Sequence, residues 1–330
     1  MTILVTGGAG YIGSHMVLEL VDAGETVVVL DNLSTGFEWA VAKPAELVVG
    51  DIGDVSLVDR LLKEKAVEAI IHFAGSIVVP ESVANPLMYY ENNTVKSRGL
   101  IAAAVANGVK QLIFSSTAAV YGNPAENPVT ETATLGPINP YGWSKLMTEI
   151  MLRDTAAAHD FRYVALRYFN VAGADPAGRS GQSTPKATHL IKVACETALG
   201  KRSHMEVFGT DYPTRDGTCI RDFIHVKDLA RAHVAALSHL RAGGKADVFN
   251  CGYSKGYSVL EVIDAVKRVS GKALDVRLSP RRAGDPAAIV AASAKIRDQL
   301  GWVPNHDDLD RIVAQALAWE AELARRTNAR

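Results

Sequence analysis

Residues Thr6 to Gly13 read TGGAGYIG, between a short apolar run and the start of a helical pattern. Their glycines satisfy two spacings at once. Gly8-x-Gly10-x-x-Gly13 is the general dinucleotide-binding pattern, and Gly7-x-x-Gly10-x-x-Gly13 is that of a narrower enzyme lineage. A strand, a glycine turn and a helix N-terminus together make an anion site. Backbone N–H groups point outward, the helix dipole favours negative charge, and missing Cβ atoms let a pyrophosphate come close. Here Thr2–Thr6 reads as the strand and Tyr11–Ala23 as the helix. Asp31 stands 18 positions beyond Gly13, at the end of the next apolar run. A carboxylate there can accept hydrogen bonds from the adenosine ribose hydroxyls. No lysine or arginine between Asn32 and Phe37 could neutralise a 2′-phosphate, which favours NAD over NADP.

Outward from this loop, apolar runs alternate with helical stretches. Strands are expected at Thr26–Leu30, Glu46–Gly50, Glu68–Ala74, Gln111–Ser116 and Tyr163–Phe169, with a helix over Val55–Lys65. Near-continuous apolar strands separated by helices predict a parallel sheet covered on both faces. Right-handed crossovers then make the fold α/β, a Rossmann-type doubly wound sheet. After Gly173 the rhythm loosens through AGADPAGRSGQSTP, residues 172–185. We expect residues 1–173 to form the NAD-binding domain and 174–330 a smaller α+β lobe for substrate, with the chain crossing between them. The closing ARRTNAR, residues 324–330, is expected to fray.

The formal net charge is −1, which gives no electrostatic case for nucleic acid or an anionic membrane as partner. The first apolar run, Ile3–Val5, is too short for a signal peptide, and no stretch approaches the roughly 18 apolar residues of a membrane span. Cys195, Cys219 and Cys251 include no CxxC pair, which fits a reducing cytoplasm and argues against a disulfide framework. The histidines show neither HxxxH nor HExxH, so no metal is expected.

The segment PYGWSK places Tyr141 and Lys145 four residues apart, on one face of a helix started by Pro140. Alone, such a pair is a common accident of helical surfaces. This one follows the fifth strand, whose end carries SSTAAVYG with Thr117. Ligands of a parallel sheet bind at the carboxyl ends of its strands, so these three residues converge beside a bound nicotinamide. A phenol is a poor base at its ordinary pKa near 10; a nearby ammonium and a cationic nicotinamide favour its ionised form. Tyr141 could then take a proton from a sugar hydroxyl, with Thr117 hydrogen-bonded to the same oxygen.

TGGAGYIGSH, DNLSTG, YYENN, SSTAAVYG, PYGWSK, LRYFNVAGADP and FGTDYPTRDGTCIRDFIHVKDLA together resemble the extended short-chain dehydrogenase/reductases, and within them the UDP-glucose 4-epimerase family. The resemblance spans residue 1 to about residue 320. It implies an isomerase that oxidises C4 of a UDP-hexose transiently with bound NAD, turns the 4-keto sugar, and reduces it on the other face. It implies that Gly7, Gly10, Tyr11, Ile12, Gly13, Asp31 and Asn32 contact NAD, with Asp51 and Ile52 at the adenine. Phe73, Ala74, Gly75, Asn92, Ser115, Tyr141, Lys145 and Tyr168 complete the implied cofactor set. Thr117, Tyr141, Asn170, His189, Phe208, Arg221, Arg282 and Asp285 are the implied UDP-sugar contacts, and Tyr141, Lys145 and Thr117 the catalytic residues. A homodimer through residues 87–107 and 140–158 is also implied.

Four departures stand out. Thr117 replaces a serine but keeps its hydroxyl. Ile77 stands where some members carry a lysine on the cofactor phosphates, which predicts a weaker hold on NAD. His189 replaces an asparagine that contacts the substrate phosphate. Ile289 occupies a position where a large residue blocks N-acetyl sugars and a small one admits them, so acceptance of those sugars stays open. A related sugar-nucleotide 4,6-dehydratase needs an acid and a base after the threonine, whereas Ala118 and Ala119 transfer no protons. A 4-epimerase of another UDP-sugar and a non-catalytic NAD-binding protein are the remaining alternatives.

Overall fold

The structure is a computed structural model that describes residues 1–185, 187–282 and 285–328. Its strands are β1 (Thr2–Thr6), β2 (Thr26–Asp31), β3 (Glu46–Val49), β4 (Val67–His72), β5 (Gln111–Thr117), β6 (Arg162–Tyr168) and β7 (Asn170–Ala172). They continue with β8 (Met205–Phe208), β9 (Ile220–His225), β10 (Asp247–Cys251), β11 (Gly256–Ser258), β12 (Val276–Ser279) and β13 (Ala288–Ile289). Seven of them form one parallel sheet in the order β10-β6-β5-β4-β1-β2-β3. The order reverses between β1 and β4, so the crevice for a ligand opens at the carboxyl ends of those two strands. In register, Thr6 pairs with both Leu30 and His72, which brings the ends of β2 and β4 level with the glycine loop.

Alternating side chains explain why both faces are covered. Ile3 and Val5 join one core cluster with Val29 and Ile71, and Leu4 joins the other with Ile70, Leu112, Phe114 and Leu152. The first cluster runs on without a break into Phe223, Leu229, Ile263 and Ile312, so the C-terminal half shares a core with the sheet. The chain also crosses back at residue 247: β10 is the edge strand beside β6, although it lies far beyond residue 173. The remaining strands form a small sheet of β7, β9, β11 and β13 and the parallel pair β8–β12. Of the tail expected to fray, residues 324–328 continue the last helix, Leu309–Asn328, and residues 329–330 lie outside the described residues. No described helix is long and apolar enough to cross a membrane.

Burial holds four histidines of this fold neutral. It lowers His15 and His233 to about 4 and His72 to about 3. His225 is lowered to about 3 by burial and by its stacked neighbour His306. A base whose folded pKa lies below its unfolded value contributes stability that is complete above about pH 6.5 and is lost as the pH falls toward the folded value. Each such histidine costs up to about 1.4 kcal/mol per pH unit in that window. Buried Asp222, raised to about 6, acts in the opposite sense but is a single group. The melting temperature is therefore expected to fall by several degrees between pH 7 and pH 5.5; a flat profile in thermal melts would refute this account.

Candidate active site

A cavity of about 700 Å³ runs along the carboxyl ends of the central strands, from Asp31 and Asp51 past Tyr141 to Arg221 and Ile289. Its floor is the glycine loop. Gly7 has φ +70, and a Cβ there would meet the Ala74 nitrogen at 2.6 Å. A Cβ on Gly13 would meet the Gly7 carbonyl oxygen at 2.1 Å, so the helix start is packed onto the loop. All three glycines line the cavity, but Gly10 is different in its clearance: the nearest obstacle to a Cβ there is the Gly7 oxygen at 3.3 Å. It is the N-cap of helix Tyr11–Asp22, and no side chain caps that helix, which leaves its dipole directed at the cavity.

Asp31 does two jobs. Its Oδ2 accepts the Ala9 N–H at 2.9 Å and its Oδ1 the Leu33 N–H at 2.8 Å, tying the glycine loop to the end of β2. A carboxylate has about four acceptor sites, so it keeps capacity for two ribose hydroxyls. Asp51 accepts from Lys96 Nζ at 2.8 Å and from Asn32 Nδ2 at 3.1 Å. Burial works against ionisation there, yet these donors and the Gly53 N–H hold its carboxyl below the ordinary value. Ile52 lies buried beside it on the cavity wall.

At the middle of the cavity stand Phe73, Ala74, Gly75, Asn92, Ser115, Thr117, Tyr141 and Tyr168. Asn139 caps the catalytic helix Pro140–Ala158 by accepting the Gly142 N–H at 2.9 Å, which sets Tyr141 in the first turn. Thr117 caps the short turn Ala118–Tyr121: its Oγ1 accepts the Ala119 N–H at 3.1 Å. That leaves the hydroxyl proton free to be donated; Thr117 and Tyr141 both line the cavity, and Thr117 is the side chain that favours the Tyr141 phenolate. Lys145 is buried one turn below, its Nζ donating to the Ser115 carbonyl at 3.0 Å and lying 4.9 Å from the Phe114 ring centre. Tyr168 hydrogen-bonds Ser115.

In the protein alone, burial raises the Tyr141 phenol above 10, and the opposing influence is Thr117. Burial also lowers Lys145 to about 8. Without a further positive charge beside it, the phenol stays protonated. Tyr11, expected to contact the cofactor, spends its hydroxyl on the Gly173 carbonyl at 2.7 Å and lends the cavity its remaining surface.

The far end carries Asn170, His189, Arg221 and Asp285. His189 Nδ1 meets Gln182 Nε2 at 2.8 Å, and Arg221 lies 3.7 Å from Asp285. Arg221 and Ile289 are register partners across β9 and β13, which fixes their spacing on the wall. Phe208 and Arg282 come together, with the guanidinium 3.7 Å from the ring centre, but neither lines the cavity. Ala118 and Ala119 do line it, beside Thr117. Sequence reasoning missed Ser76, Asn93 and Gln182. Asn93 accepts the Ser76 N–H at 2.7 Å and donates to Ser144 Oγ at 3.0 Å, joining the loop after β4 to the catalytic helix. The π-helical turn Tyr90–Val95 that presents Asn92 and Asn93 has no pattern that would have announced it. Among the described residues no group of three or more His, Cys, Asp or Glu is placed to hold a metal.

A dinucleotide fits this donor set. Gly10 leaves open the space a Cβ would fill, the helix start is uncapped, and Asp31 retains acceptor sites at the end of β2. A model of the NAD dependent epimerase/dehydratase family matches residues 3–252. The chain is 58% identical to the UDP-glucose 4-epimerase of Azospirillum brasilense over 97% of its own length and 92% of that protein's. Its fold superposes with a TM-score of 0.93 on the UDP-glucose 4-epimerase of Brucella ovis in complex with NAD, at 44% identity over 96% and 97% of the two chains. The TM-score is also 0.93 for that of Bifidobacterium longum in complex with NAD+ and UDP, at 40% identity over 98% of each. Matched by family model, full-length sequence and fold alike, the chain belongs to the NAD-dependent epimerase/dehydratase family, among its UDP-glucose 4-epimerases.

Proposed function

We propose that the protein interconverts UDP-galactose and UDP-glucose by transient oxidation of C4 with NAD as its resident cofactor. The observation that carries this reading is the meeting of Thr117, Tyr141 and buried Lys145 at the end of β5, next to the dinucleotide cradle and beside the proton-inert Ala118 and Ala119. NAD supplies a two-electron acceptor for C4, a donor on the return, and a positive ring that favours the phenolate. Tyr141 takes the C4 hydroxyl proton and gives it back after the 4-keto sugar has turned. Thr117 donates to the Tyr141 oxygen and steadies its ionised form. Lys145, anchored on Ser115, adds positive charge beneath the cofactor site.

For the UDP part, Arg221 faces the cavity and supplies charge-assisted bonds to the diphosphate. Asn170 and His189 add polar contacts and Asp285 takes a ribose hydroxyl. We assign Arg282 to the diphosphate and Phe208 to the uracil, a role that requires the two to separate. Among the described residues Arg221 is the one lysine or arginine that lines the cavity. The cofactor phosphates thus rest on backbone N–H groups, with Ile77 where a cation could have stood, and NAD is expected to exchange. The exposed apolar side chains Leu87, Val95, Trp143, Met147 and Ile150 lie on the two segments proposed as a homodimer contact. Trp143→Glu should then halve the mass seen by sedimentation; an unchanged mass rules that contact out. Three buried, unpaired cysteines suit the cytoplasm, where we place the protein.

The substrate is tested by incubating the purified enzyme and NAD separately with UDP-galactose, UDP-N-acetylgalactosamine, UDP-xylose and UDP-glucuronate. UDP-glucose should form from the first. Product from the last two alone would overturn the galactose reading.

A further inference from the structure

Behind the working residues lies a buried ionic chain that does not touch the cavity. Arg167 Nη2 donates to Glu149 Oε2 at 2.6 Å and its Nε to Oε1 at 3.0 Å, and both side chains are only 5% exposed. Ser116 Oγ donates to the same carboxylate. On the other side, Arg167 Nη1 donates to the Tyr121 hydroxyl at 3.0 Å, and the guanidinium lies 5.0 Å from that ring's centre. The Tyr121 hydroxyl donates to Asn250 Oδ1 at 2.6 Å, and Asn250 Nδ2 donates to the Val129 carbonyl at 2.8 Å. Ser116, Tyr121, Glu149, Arg167 and Asn250 are all buried, and none lines the cavity.

Ser116, Tyr121 and Arg167 each sit next in sequence to a residue that does. Ser116 precedes Thr117. Tyr121 closes the turn that Thr117 caps. Arg167 precedes Tyr168, and Glu149 follows Lys145 by one helical turn and Tyr141 by two, on the same helix face. A buried ion pair is a poor source of stability, because removing two charges from water costs several kcal/mol per ion and apolar side chains of similar volume do as well or better. What it adds is geometry: a bidentate fork fixes both distance and angle between the elements that carry it.

We infer that the Glu149–Arg167 pair is a positioning device for catalysis, holding the end of β5 against the catalytic helix so that the Thr117 hydroxyl meets the Tyr141 oxygen. The inference rests on the proposed roles of those two residues. Thr117 and Tyr141 line the cavity from the two elements that the pair joins, and Thr117 favours the Tyr141 phenolate, so any displacement of β5 against the helix weakens that influence and leaves the phenol harder to ionise.

The test uses the full-length enzyme loaded with NAD. Glu149→Met/Arg167→Met removes both charges together and leaves no unpaired ion in the core, so it should fold. Its kcat on UDP-galactose should fall about 10- to 100-fold, as expected for disturbed general base catalysis, with KM within about twofold. The acid limb of its kcat–pH profile should move to higher pH, because the base now ionises later. Adding Thr117→Ala to the double variant should cost little more, since both changes remove the same contact. Arg167→Lys, which keeps the charge and loses the fork, should show the same pH shift in smaller measure, and it decides the matter if the double variant does not fold. A folded variant with wild-type kcat and pH profile overturns the inference, and so do losses that simply add to that of Thr117→Ala. Thr117→Ala and Tyr141→Phe run in parallel: if they too keep full turnover, the failure belongs to the assigned catalytic roles, and if they lose it, to the ion pair alone.

Discussion

Replacing Tyr141 by phenylalanine is expected to lower kcat on UDP-galactose by about 10²- to 10⁴-fold, the range for loss of a positioned proton-transfer group. The substitution removes one oxygen and keeps the ring that packs at the start of helix Pro140–Ala158. The Thr117 hydroxyl loses a partner, and an unmet hydroxyl costs about 1–3 kcal/mol when no water reaches it, too little to unfold a domain of this size. Helix Tyr11–Asp22, Asp31 and Asp51 line one end of the cavity and Tyr141 its middle, so calorimetric titration should find NAD binding within about threefold of wild type. KM should change little, since the lost interaction belongs to the transition state rather than to ground-state binding. If turnover stays within tenfold of wild type, the base lies elsewhere.

The local parts of the site were legible in the sequence because each rests on a short-range rule. The glycine loop follows from residues whose backbone geometry and lack of Cβ are written in their identity, and Asp31 from its place at the end of an apolar run. Tyr141 and Lys145 share a helix face by spacing alone, and Asn139 and Pro140 supply its start. What was not legible depends on residues distant in the chain. Strand β10, DVFNC, carries no stronger pattern than other short runs in that half; its partner β6 is about eighty positions earlier. Asn93 and Glu149 look like ordinary polar helix residues until the fold sets Ser76 and Ser144 on the first and Ser116 and Arg167 on the second. Spacing likewise announces a lysine one turn from Tyr141, but it does not show that Lys145 is buried or that its ammonium is turned to the Ser115 carbonyl.

The two glycines common to both spacings, Gly10 and Gly13, should separate cleanly when each is changed to alanine. At Gly13 the new Cβ would stand 2.1 Å from the Gly7 carbonyl oxygen and 2.8 Å from Gly8 Cα, both backbone atoms that cannot swing aside. The helix must lift off the loop, at a cost of about 1–3 kcal/mol for an overpacked site, and the N–H groups that face the pyrophosphate move with it. Gly13→Ala should therefore lower the melting temperature by several degrees and weaken NAD at least about 100-fold, the loss expected when two or more phosphate hydrogen bonds are misplaced. At Gly10 the backbone has φ −79 and ψ 178, open to any residue, and the one close atom, at 3.3 Å, needs to give by only a few tenths of an ångström. Gly10→Ala should melt within about a degree or two of wild type yet still bind NAD poorly, because its methyl occupies cavity space meant for the phosphates. Thermal melts without cofactor and calorimetric titration with NAD check the pair. Equal losses of stability in the two variants, or wild-type NAD affinity in Gly10→Ala, would mean that the loop is shaped for its own packing rather than for a ligand. The expected split assigns Gly13 to building the turn and Gly10 to leaving room in it.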